Sequence, residues 1–189
     1  MFGTFLLPAG PISRTFLVPR MSQVASQHRD SAPQTVRCAV ITVSDTRTLD
    51  DDRGGSTIVE MLAAAGHLVV DRQIIRDEPE AMRRLLGQLC ARPDVDATLM
   101  TGGTGISSRD QTFETVSGLL TKPLPGYGEL FRMLSFQEIG PAAMLSRTVG
   151  GLIGQTVVLT MPGSPAAVRL AMEKVILPEL AHLVREARR

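Results

Sequence analysis

From residue 37 onward the chain alternates between short continuous apolar runs and longer segments in which apolar residues recur every three or four positions. The run Cys38-Ala39-Val40-Ile41-Thr42-Val43 predicts a buried strand, closed by Ser44-Asp45. Ile58, Met61, Leu62 and Ala65 then recur at helical spacing, on a helix that Gly54-Gly55 opens. Residues 67–75 predict a second strand, and Asp77 precedes Pro79 and a helix with Met82, Leu85, Leu86 and Leu89 inward. A third strand, residues 95–100, runs into Thr101-Gly102-Gly103-Thr104-Gly105. A fourth, residues 156–161, runs into Pro162-Gly163-Ser164-Pro165, after which Val168, Ala171, Met172 and Val175 mark a helix. Leu180, Leu183 and Val184 belong to a last helix after Pro178, whose basic end suits the negative helix terminus.

Strands alternating with helices predict an α/β domain with a parallel or mostly parallel sheet covered on both faces. Such sheets bind ligands outside the carboxyl ends of their strands, which is where both glycine-containing turns fall. Residues 1–35 follow no such pattern: residues 2–18 are apolar but broken by Pro8 and Pro11, and residues 21–34 are polar. This order is wrong for an export signal, and a transit peptide, suggested only by Arg14 and Arg20 with no acid before Asp30, is the lesser alternative. The expectation is a disordered extension over residues 1–35, with Met21 as an alternative start, ahead of one domain over residues 36–189.

Composition and charge remove several functions. A formal net charge of +1 offers no field to attract nucleic acid or anionic lipid. No apolar run approaches the roughly 18 residues that would suggest a membrane span. Cys38 and Cys90 lie in separate apolar segments and form no CxxC, so free thiols and a reducing, cytoplasmic setting are expected. His28, His67 and His182 are scattered, without HExxH or GxSxG. The only lysines are Lys122 and Lys174, which rules out a Walker loop, and Ser108 stands where a dinucleotide fingerprint needs its third glycine.

What remains is the loop from Thr101 to Asp110. Its glycines let several backbone N–H groups face one anion, Thr104, Ser107 and Ser108 add hydroxyls, and Arg109 adds a forked cation. This is a phosphate cradle without lysine, or else a plain strand-to-helix turn. Asp77 and Asp110 can converge on the same rim, and two carboxylates beside phosphates suggest Mg²⁺; the blander alternative is that each caps a helix. Ser164 makes a good helix cap with Pro165 at the first helical position, leaving free N–H groups for a second anion contact. The acidic run Asp50-Asp51-Asp52 is expected to be a solvated turn.

Taken together, Thr101-Gly102-Gly103-Thr104-Gly105 with Arg109-Asp110, Pro125-Gly126-Tyr127-Gly128-Glu129-Leu130-Phe131-Arg132, Leu134-Ser135-Phe136, Met144-Leu145-Ser146-Arg147 and Met161-Pro162-Gly163-Ser164-Pro165 resemble the molybdenum cofactor biosynthesis family of the MoaB/Mog type. The likeness runs from about Arg37 to the C-terminus and is strongest to the bacterial protein B branch. It implies a three-layer α/β/α sandwich, assembled as a homotrimer or homohexamer, with residues 127–136 at or near a subunit contact. Molybdopterin and ATP are the implied substrates, with Mg²⁺ as cofactor and adenylylation of molybdopterin as the activity; other proteins of the same pathway are implied partners. By position, the resemblance assigns catalysis and Mg²⁺ to Asp77 and Asp110. It assigns the nucleotide-phosphate loop to Thr101, Gly102, Gly103, Thr104 and Gly105 with Ser108 and Arg109, and the pterin side to Ser146, Arg147, Pro162, Gly163 and Ser164. This chain has Gln111-Thr112-Phe113 where the Mog pattern continues Val-Thr-Pro, and some protein B members lack the acidic pair that it keeps. The alternatives are a molybdopterin-holding protein without the chemistry and a pyridine-nucleotide hydrolase on the same fold.

Overall fold

The four apolar runs form the parallel part of one sheet. In a computed structural model, which describes residues 33–189, β1 (Arg37–Val43), β2 (Leu68–Ile75), β3 (Ala97–Thr101) and β6 (Thr156–Met161) are parallel in the order β2-β1-β3-β6. Two strands that the apolar pattern does not announce complete it: β5 (Gly150–Ile153) pairs antiparallel with β6, and β4 (Lys122–Pro123) antiparallel with β5. Both are short and carry glycine or proline, so neither has an apolar run of its own. The expectations for residues 1–32 lie outside the described residues.

Side chains alternate across the strands, and this divides the interior in two. Cys38, Val40, Leu99 and Leu159 face one layer, made by α1 (Arg53–Ala64), α4 (Pro125–Ile139), α5 (Pro165–Ala171) and α6 (Leu177–Ala187). Ala39, Ile41, Met100 and Val158 face the other, where α2 (Pro79–Cys90) packs Met82, Leu85, Leu86 and Leu89 beside Val116 of α3 (Thr112–Leu119). The result is a three-layer α/β/α sandwich. A π-helical run, Met172–Ile176, joins α5 to α6, and the Leu177 N–H donates to the Met172 carbonyl. Pro178 has no N–H to give to Lys174 four residues back, which accounts for the widened turn there.

The acidic turn differs from expectation. Asp50 and Asp51 are exposed, but Asp52 is 1% exposed and starts α1. Its carboxylate accepts the Gly55 N–H at 2.9 Å and the Thr42 hydroxyl at 2.7 Å, and it pairs with Arg72 at 3.2 Å. Three adjacent carboxylates do repel, yet one of them gains more from a helix N-terminus and a guanidinium than from water.

At the amino-terminal rim of the sheet, Asp96 draws the two ends of the described chain together. Its carboxylate accepts the Arg37 backbone N–H at 2.8 Å and the Arg37 Nε at 3.1 Å, and pairs with the Arg37 and Arg188 guanidiniums. Burial pushes its pKa up, but the Arg37 hydrogen bonds and the Arg188 charge outweigh this and hold it below the ordinary carboxylate value. A depressed folded pKa contributes stability that is complete above the unfolded value of about 4 and is lost as pH falls through the folded one. Asp96→Ala is therefore expected to cost about 2 kcal/mol at neutral pH, less than a fully buried pair because both arginines are partly solvated. In urea titrations the difference between the two proteins should shrink as pH falls from about 4 through the depressed folded pKa of Asp96; a difference that stays constant over that descent would contradict the assignment.

Candidate functional site

Strand register puts the two turns side by side. Thr42 pairs with Thr101 and Thr101 with Met161, so β3 and β6 reach the carboxyl rim at one level and their turns leave it together. They are also stitched: the Thr101 hydroxyl donates to the Pro162 carbonyl at 2.9 Å, and the Gly102 N–H to the Met161 carbonyl at 3.0 Å. Gly102 passes so close to the Val43 carbonyl that a Cβ would collide with it, and Gly103 has φ of 62°. A Cβ on Gly103 would press on Thr112 Oγ1 and Asp77 Oδ2, so this backbone lies directly over the Asp77 carboxylate.

A cavity of about 370 Å³ opens between the turns. One side is polar, with Gly102, Gly103, Thr104, Gly105 and Asp110 from the first turn, Pro162, Gly163 and Ser164 from the second, and Ser146 at the edge. The other side is apolar, built from Phe131 and Ile139 of α4, Ala143 and Leu145 of a 3₁₀ helix (Gly140–Leu145), and Ala167 of α5. Ser164 caps α5, its hydroxyl accepting the Ala167 N–H at 3.3 Å.

Asp77 and Asp110 lie close enough that the charge of Asp110 helps raise the Asp77 pKa; burial is the larger cause, opposed by the Gln111 N–H. Neither caps the helix that follows it. Asp77 Oδ1 instead accepts the Gln111 N–H at 3.1 Å, across from its own helix, and Asp110 Oδ2 accepts the Ser107 N–H at 2.9 Å. Each keeps one carboxylate oxygen without a protein hydrogen bond among the described residues. Asp110 lines the cavity, whereas Asp77, 6% exposed, sits behind the glycines.

The two arginines are placed differently from what was expected. Arg109 does not line the cavity; it donates to Asp45 at 2.7 and 3.1 Å and to Glu78 at 2.7 Å. Arg147 donates to the Gly105 carbonyl at 2.6 Å and the Asp110 carbonyl at 3.0 Å, pairs with Glu114, and stacks 5.4 Å from the Phe113 ring centroid. Both are struts that hold the 101–110 loop rather than free cations. Thr101 likewise spends its hydroxyl on Pro162, and Ser108 is exposed outside the cavity.

Asp45 escaped the sequence reading as a site residue. It accepts the Asp77 N–H at 3.3 Å as well as Arg109, and the Arg109 hydrogen bond chiefly, against a desolvation cost, lowers its pKa to about 2. Its position two residues beyond β1, on the same rim as both turns, was the available signal.

The model of a family described as "Probable molybdopterin binding domain" matches residues 39–182, which include both turns and both carboxylates. The chain belongs to the molybdenum cofactor biosynthesis protein B family. The family member from Halalkalibacterium halodurans is 51% identical over 161 residues, covering 85% of this chain and 95% of that protein. A crystal structure of a molybdenum cofactor biosynthesis protein B superposes with a TM-score of 0.81 at 51% identity, over 83% of this chain and 98% of that one. The tungsten cofactor synthesizing protein MoaB of Pyrococcus furiosus superposes at 0.75 with 36% identity, over 84% and 100%. Protein B family membership thus accords with the sandwich and the cleft at its rim.

Because Gly103 is both left-handed and pressed against Asp77, Gly103→Ala is expected to cost about 2–3 kcal/mol, combining backbone strain with displacement of a buried carboxylate. Gly118→Ala, where a Cβ meets nothing within 4 Å, is the control and should change stability by no more than about 1 kcal/mol. Equal denaturation midpoints for the two variants would mean that the loop yields freely.

Proposed function

We propose that this protein binds molybdopterin in the 370 Å³ cavity and adenylylates its terminal phosphate with Mg-ATP. The carrying observation is that one cavity joins a rim of backbone amides and a carboxylate to an apolar wall. The amide side suits phosphate; the wall suits a flat ring; the volume falls in the range of small-molecule sites, about 300–1,000 Å³.

In this reaction a phosphate oxygen of molybdopterin attacks the α-phosphorus of ATP, the bond to pyrophosphate breaks, and AMP remains on the acceptor. The attacking group is already anionic, so no strong base is needed, and alignment and charge neutralisation carry the rate. The 103–105 amides would hold phosphate oxygens, the Gly102 N–H being spent on the Met161 carbonyl, and the 163–164 turn would orient the acceptor. Among the described residues no group of three or more His, Cys, Asp or Glu could hold a metal ion. Mg²⁺ needs only one or two protein carboxylates beside water and phosphate oxygens, and the free oxygens of Asp77 and Asp110 fit that requirement. When bound there it would supply charge neutralisation at the phosphates.

The same proposal includes self-association. Leu130, Met133 and Phe136 of α4, with Ile139, Met144 and Leu145 beyond, are between 48% and 76% exposed, while Tyr127 and Phe131 turn into the core. Only one side of residues 127–136 is thus available for a subunit contact, and further copies of this chain are the occupants proposed for it. Among the described residues no helix is long and apolar enough to cross a membrane.

Purified protein incubated with molybdopterin and Mg-ATP should yield adenylylated molybdopterin and pyrophosphate. Asp77→Asn and Asp110→Asn should each slow this at least ~100-fold while molybdopterin still binds. Binding without any adduct in the parent protein would leave a holding protein and defeat the enzymatic reading. Light scattering should give three or six times the chain mass, and Met133→Glu with Phe136→Glu should reduce it; a monomer at all concentrations would contradict the assembly.

A further inference from the structure

Leu134-Ser135-Phe136 contributes to the family likeness, yet nothing so far gives Ser135 a task. On α4 it lies one turn beyond Phe131 and one turn before Ile139, so the three share a face, and all three line the cavity. Ser135 is 5% exposed, and its hydroxyl has no hydrogen-bond partner among the described residues. Helical hydroxyls have a local option: Thr57 on α1 donates to the carbonyl four residues back, Arg53, at 2.8 Å. Ser135 does not take it.

A hydroxyl set in an apolar wall without a protein partner is left to water or to a ligand, and alanine in its place would remove no hydrogen bond within the protein. The hydroxyls of Thr98 and Ser117 are also unpartnered, but they are sealed from solvent and line no part of this cavity. Ser135 opens on the cavity, as does Thr104, 3% exposed and also without a side-chain partner, on the polar side. The wall is therefore a nonpolar surface with one hydrogen-bonding point.

We propose that Ser135 is a specificity residue, whose hydroxyl bonds the heteroatom edge of a flat bicyclic ring lying on Phe131, Ile139 and Leu145. The inference rests on the cavity being the molybdopterin site. It makes the apolar wall selective for a ring bearing donors and acceptors at its margin over an apolar ring of equal size. The phosphate end of the ligand, held by the turns, does not depend on it.

Calorimetric titration with molybdopterin, and separately with inorganic phosphate, tests this on the parent protein, Ser135→Ala and Ser135→Cys. Loss of one hydrogen bond predicts about fivefold to tenfold weaker molybdopterin binding for both variants. Cysteine keeps the shape with a weak donor, so parallel losses separate hydrogen bonding from packing. Phosphate binding should be unchanged, and the melting temperature of the ligand-free alanine variant should not fall. If the variants bind molybdopterin as the parent does, or if they lose stability or phosphate binding as well, Ser135 does not read the ring, while the site assignment stands. If the parent protein binds no molybdopterin, the assignment of the cavity fails and takes this inference with it.

Discussion

The parallel register of β1, β3 and β6 is the constraint from which the site follows. With Thr42, Thr101 and Met161 at one level, two chain segments some sixty residues apart must turn at the same height, and the turns can share hydrogen bonds and a cavity. A shift of either strand by one position would exchange the two interior faces and separate the turns. Burial of Val40, Leu99 and Leu159 on one side and of Ile41, Met100 and Val158 on the other fixes the register twice over.

The loop that forms the polar side of the cavity is held from outside by charge. Arg147 reaches two of its carbonyls from beyond the 3₁₀ helix, and Arg109 is drawn off by Asp45 and Glu78. Guanidinium groups committed in this way set where the backbone amides of the loop lie. This division of labour also explains why Asp77 and Asp110, though neighbours, retain unpaired oxygens: the nearby cations are already engaged.

The four parallel strands, the helices α1, α2, α5 and α6 and the two turns were legible because they have local signals, an apolar run or a helical period followed by glycine or proline. β4 and β5 were not, because Gly150, Gly151 and Pro123 are placed by pairing with β6 rather than by their own pattern. The resemblance named the carboxylates, but only coordinates separate Arg109 and Arg147 as struts from the residues that face the cavity. A residue type tells which bonds it can make, not which of several nearby partners takes it first. The same limit hid Asp52, whose neighbours in sequence suggested water and whose neighbours in space are Thr42 and Arg72, and it hid the apolar wall, which α4 and the 3₁₀ helix supply from a segment expected at a subunit contact.

The clasp of Arg37 and Arg188 on Asp96 lies at the opposite pole of the sheet from the cleft. Cargo fused ahead of β1 or behind α6 would hang from the pole remote from the cavity, so tethers for surface immobilisation or fluorescent reporters can be attached there without crowding its mouth.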